Sequence, residues 1–132
     1  MLRGLALMMV LAVAIPSGAR AQVETLTGPW QQISSNAGNC PTCQITIDGI
    51  GALRVTANNG WTATIVERER NGMPTAGGGG QWRAPNNPLD GKTFIVEFEL
   101  RGDRLHMTMT LDGGRGRLRF IEAVFGRPWL GS

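Results

Sequence analysis

From Gly28 onward, apolar side chains recur at every second position, and Gly- or Asn-rich turns interrupt them about every 8 to 12 residues. This is the period of half-buried β-strands, and no 3.6-residue period persists long enough for a substantial helix. Phe94, Val96, Phe98 and Leu100 alternate with Ile95, Glu97 and Glu99, while Leu105, Met107, Met109 and Leu111 alternate with His106, Thr108 and Thr110. A two-residue reversal at Gly102-Asp103 sets Leu100 against Leu105, Phe98 against Met107, Val96 against Met109 and Phe94 against Leu111. A slip of one residue would turn every one of these side chains to the wrong face. Gly102 supplies the positive φ that a type II′ turn requires at its first loop position.

The same reasoning predicts a second hairpin. A three-residue loop at Asn58-Asn59-Gly60 pairs Ala57 with Trp61, Val55 with Ala63 and Leu53 with Ile65. A third reversal at Gly49-Ile50-Gly51 is expected to pair Ile47 with Leu53 and Ile45 with Val55. Further strands are expected at residues 29–34, 79–84 and 117–125, which brings the total to eight. The run Gly77-Gly78-Gly79-Gly80 reads as a bend leading into the strand of Trp82, since no Gly-Lys-Ser or Gly-Lys-Thr follows to make a phosphate loop. Eight short-linked antiparallel strands predict an all-β, up-and-down barrel, because closure removes both exposed edges. A two-sheet sandwich is the alternative.

Strand direction sorts the loops between two ends. Residues 35–42, 58–60, 85–92 and 112–116 share one end, while 49–51, 70–73 and 101–103 share the other. The first set is longer and richer in Asn, which marks it as the mouth. Trp61 and Trp82 belong near that mouth, beside Asn58, Asn59, Asn36 and Asn39. Flat aromatic rings with amide neighbours suit a ligand that is part polar and part apolar, although the same rings can simply plug a small barrel.

Residues 1–21 carry Arg3, an apolar run at 5–15, the breakers Pro16 and Gly18, and Ala19-Arg20-Ala21. This is the three-part pattern of a secretory signal cleaved after Ala21, leaving a single domain at 22–132. The apolar run is too short to span a membrane, which needs about 20 residues. The expected localisation is periplasmic or secreted. The whole chain of 132 residues has 13 Lys plus Arg against 10 Asp plus Glu. Removing Arg3 and Arg20 with the leader leaves 11 against 10, a near-neutral product that lacks the basic field of a nucleic-acid binder.

Cys40-Pro41-Thr42-Cys43 holds both cysteines. In an exported chain they are expected to form a disulfide; a metal pair and a redox dithiol are the alternatives. A redox cysteine is favoured at a helix N-terminus, whereas Cys43 runs into the β pattern of Gln44-Ile45-Thr46-Ile47. Gln44 stands where covalent haem attachment needs His. Met107 and Met109 are soft enough for monovalent copper, but they share the inward face with Phe98 and Val96. Glu97 and Glu99 stand about 6.5 to 7 Å apart on one strand, near the spacing of glycosidase carboxylates, yet face outward. His106, the single imidazole, is expected outside opposite Glu99 with no nucleophile beside it. No cofactor or metal is implied, and no catalytic constellation assembles.

Gly28-Pro29-Trp30 resembles the opening of the calycins, a group that includes lipocalins, avidins and small bacterial metalloprotease inhibitors. The resemblance implies an up-and-down barrel whose first Trp closes the narrow end, with Arg127 laid across Trp30. The expected function is a non-catalytic barrel that binds a small molecule or a protein through its long-loop end. The alternative, which the inhibitor resemblance implies, is a periplasmic protease inhibitor that inserts residues 22–27 into an enzyme cleft.

Overall fold

A computed structural model describes residues 25–130; the leader reading falls outside these described residues. The strands are β1 (Gly28–Ser35), β2 (Gln44–Asp48), β3 (Ala52–Ala57), β4 (Trp61–Arg70), β5 (Met73–Trp82), β6 (Thr93–Arg101), β7 (Arg104–Gly114) and β8 (Arg117–Gly126). A single 3-10 turn, Pro128–Leu130, follows. Each strand pairs antiparallel with the next, and β8 returns to β1 through Gln31↔Gly126 and Ser35↔Ala123. The sheet is therefore a closed barrel, not a sandwich.

Alternation makes the core. The β6–β7 hairpin has the expected register, from Leu100↔Leu105 to Phe94↔Leu111, and Gly102 has φ 60° as its turn demands. Val55↔Ala63 and Leu53↔Ile65 also stand as expected between β3 and β4. Ile47, Val55, Ile65, Val96, Leu105 and Met109 are completely enclosed along the axis. Each such side chain contributes about 1.5–3 kcal/mol relative to exposure.

Two expectations need correction. Between β2 and β3 the register is Ile47↔Val55 and Ile45↔Ala57, two residues away from the expected pairing. Gly49 and Gly51 both take positive φ, and the ladder starts only at Asp48↔Arg54, so the reversal is wider than three residues. The glycine run is not a bend before a strand. It forms the middle of β5, paired on both sides from Thr75↔Glu99 to Gln81↔Thr93 and from Arg70↔Met73 to Trp61↔Trp82. None of the four glycines has positive φ; what two of them supply is space. A Cβ on Gly78 would overlap the Thr64 carbonyl oxygen, and one on Gly80 would overlap the Thr62 carbonyl oxygen and the Phe94 ring.

The end carrying the short loops is plugged. Trp30 is fully buried and donates its indole N–H to the Leu26 carbonyl at 2.8 Å. The Arg127 guanidinium lies 3.7 Å from the Trp30 ring and donates to the carbonyls of Thr25 (2.6 Å) and Pro29 (3.1 Å). The Trp–Arg stack implied by the calycin resemblance is thus present. Gly28 takes φ 106°, a conformation that other residues rarely adopt, and it lies beside the end of the Arg127 side chain.

Candidate functional site

Because one end is sealed, access to the interior lies at the other. There the chain enters and leaves the barrel through the β1–β2, β3–β4, β5–β6 and β7–β8 connections, the set that strand direction assigns to the mouth. A cavity of about 380 Å³ opens among them and reaches down to Met107, Met109 and Phe125. Pro88 and Leu89 of the β5–β6 loop also line it. That loop holds its own shape: Asp90 accepts the Ala84 N–H at 2.8 Å and Asn87 accepts the Leu89 N–H at 2.9 Å.

Trp61 and Trp82 are direct cross-strand partners, which is why they meet at the cavity wall. Their centroids are 6.4 Å apart with planes at 55°, and Phe94 packs edge-on to Trp61 at 5.5 Å. Phe94 has room to lie there because Gly80 opposite it has no side chain. Both indoles are nearly enclosed, so they line the cavity and pack the barrel end at once. Trp82 Nε1–H is buried and has no acceptor among the described residues.

The four asparagines separate into two kinds. Asn39 and Asn59 line the cavity with exposed side chains. Asn36 instead bridges the barrel seam, donating to the Phe120 carbonyl (3.1 Å) and accepting the Glu122 N–H (2.9 Å). Asn58 ties the β3–β4 turn to the start of β2, accepting the Gln44 N–H and donating to the Thr42 carbonyl, both at 2.8 Å. These two amides shape the mouth by completing backbone ladders.

Cys40 and Cys43 form the expected disulfide, with their Cα atoms 5.3 Å apart, and both line the cavity. The Cys43 N–H donates to the Cys40 carbonyl at 3.1 Å, so the bridge clamps a turn the backbone already makes. For so short a loop, loss of the crosslink costs about 2 kcal/mol. The double variant Cys40→Ser/Cys43→Ser is expected to stay folded with a lowered urea midpoint, and a midpoint equal to wild type would show that the bridge adds nothing.

Arg119, exposed at the rim, is a further lining residue beyond those expected from the sequence. It lies opposite Leu111 on β8, in the inward series continued by Ile121, Ala123 and Phe125, and it lines the cavity near the rim. Its place in that alternation is the signal the sequence carried. No carboxylate or imidazole lines the cavity among the described residues. His106 pairs with Glu99 on the outer face. Glu99 accepts a bond from Arg101 at 2.8 Å, which holds its carboxyl below the usual range, the reverse of what a general acid needs.

Fold and site together define a small up-and-down β-barrel with one end plugged and the other opening on an aromatic-lined cavity, an architecture consistent with the broad calycin group. The chain matches no family model, no curated protein and no solved structure.

Proposed function

We propose that this is an exported, non-catalytic barrel that holds a small molecule in its mouth cavity. The observation that carries this reading is the cavity at the open end, walled by the paired Trp61 and Trp82 and by Met107, Met109 and Phe125. The volume of about 380 Å³ falls in the range of small-molecule sites, about 300–1,000 Å³. Trp61, Trp82, Asn39 and Asn59 are the contact residues of this proposal; Asn36 and Asn58 set the shape around them. The leader pattern and the disulfide support export to the periplasm or beyond, since stable disulfides belong to oxidising compartments. The outward His106 and the lowered Glu99 support a role without catalysis. The inhibitor alternative is less well supported, because Leu26 is buried and the Thr25 carbonyl holds Arg127, which ties part of the 22–27 segment to the barrel.

The neutral fluorophore N-phenyl-1-naphthylamine tests the reading by energy transfer from tryptophan. Ala123 is buried and lines the cavity, so Ala123→Leu fills part of it. Binding is expected in wild type and about tenfold weaker in this variant, with both folded by circular dichroism. Equal binding by the two would put the probe elsewhere, for example on the exposed Leu118 and Phe120, and would overturn the reading.

A further inference from the structure

We infer that the ligand class of this cavity is an amphipathic anion, an apolar body carrying one carboxylate- or sulfonate-like group; the inference rests on the cavity reading above. The inner wall is apolar, with Met107, Met109, Ile121 and Phe125 facing Trp61 and Trp82. Methionine adapts to ligand shape, and the indoles offer flat contact area. Arg119 is the one charged residue lining the cavity among the described residues. It stands at an inward register position, and the ion pairs of the described residues join Arg101 to Glu99 and Arg104 to Asp103, leaving Arg119 without a carboxylate.

The surrounding rim has the same sign. Arg83, Lys92, Arg115, Arg117 and Arg119 lie on the mouth connections and strand ends, against Asp90 and Asp112. Both of those carboxylates accept backbone N–H groups, from Ala84 and Gly114, each at 2.8 Å. A ligand therefore meets cations at the entrance and an apolar wall beyond it. An anion placed by Arg119 keeps its charge at the wet rim while its body enters. A cationic ligand would find no counter-charge in the lining. An entirely apolar one would leave Arg119 without a counter-charge.

The test compares two probes with the same ring system, 8-anilinonaphthalene-1-sulfonate and uncharged N-phenyl-1-naphthylamine. Each is titrated into wild type, Arg119→Gln and Arg117→Gln. The sulfonate is expected to bind about tenfold more tightly than the amine in wild type, as a charge-assisted contact near a partly dry wall allows. Arg119→Gln is expected to bring the two affinities within about twofold by weakening only the sulfonate, whereas Arg117→Gln changes the ratio less. Binding of the sulfonate no tighter than the amine, or a ratio unmoved by Arg119→Gln, would overturn the anion inference. In that event, continued binding of the amine with its loss in Ala123→Leu leaves the cavity reading standing. Failure of both probes in wild type would end both proposals together.

Discussion

Replacing Trp30 by alanine is expected to lower the free energy of unfolding by about 3–5 kcal/mol, the largest effect of any single substitution at the closed end. Three losses coincide there. The indole is fully buried, so its removal leaves a cavity that the tightly paired β1, β2 and β8 cannot collapse. Its N–H leaves the Leu26 carbonyl without that donor. The Arg127 guanidinium loses the ring it lies 3.7 Å above, a contact worth about 2 kcal/mol or more when desolvated. Domains have total stabilities of about 5–15 kcal/mol, so this variant is expected to approach the limit of folding. Trp30→Phe keeps most of the buried area and loses the hydrogen bond, so its loss is expected nearer about 2 kcal/mol. Urea denaturation of both variants measures the difference. Because the plug and the mouth share no side chains, Trp30→Phe should leave naphthylamine affinity unchanged. If Trp30→Ala unfolds at the wild-type midpoint, the plug is not what holds this end together.

How much of this was legible in sequence depended on what each residue type can signal. The β6–β7 hairpin was readable to the pair because large apolar and polar side chains alternate through both strands, and Gly102 admits few turn geometries. The β2–β3 reversal was not, since Gly49-Ile50-Gly51 permits several loop widths that all keep Ile45, Ile47 and Val55 inward. A shift by two preserves the face and so leaves no trace in the alternation. Only the end of β5, from Gly79 to Trp82, falls within an expected strand. Its first half was hidden for a different reason, since four glycines have no side chains to alternate and the evidence for a strand lies in β4 and β6 on either side. The mouth followed from strand direction, and with it the placement of Trp61 and Trp82. The asparagines did not sort themselves. Asn36 and Asn59 are both loop amides by sequence, and only the 84- and 86-residue separations of the Asn36 bonds show that it bridges the seam. Arg119 shares the inward alternation, yet its side chain is exposed at the rim, so the sequence does not separate it from a solvated surface arginine.

The glycine run gives the second large effect, and its sign is expected to reverse between neighbours. At Gly78, on the inner face between Ile65 and Val96, a Cβ would overlap the Thr64 carbonyl oxygen and stand 2.9 Å from the Ile65 Cα. Both obstacles are backbone of β4, which cannot move aside without breaking its ladder. Gly78→Ala is therefore expected to cost about 3 kcal/mol, the upper end for overpacking. At Gly77, on the outer face, the nearest atoms to a new Cβ are 3.7 and 3.8 Å away and φ is not positive. Gly77→Ala is expected to raise stability by about 0.5 kcal/mol, since alanine restricts the unfolded chain at a conformation it can adopt. The pair is read from urea midpoints at constant slope. The functional consequence is carried two residues further on: Gly80 leaves the space over which Phe94 lies, and Phe94 packs edge-on to Trp61 in the cavity wall. Close approach of β4 to β5 at Gly78 and room for the aromatic cluster at Gly80 are thus one device, the thinning of β5 that lets the mouth be both narrow and lined with rings. A Gly78→Ala variant as stable as Gly77→Ala would mean that β4 and β5 are farther apart than this, and the aromatic wall would have to be built differently.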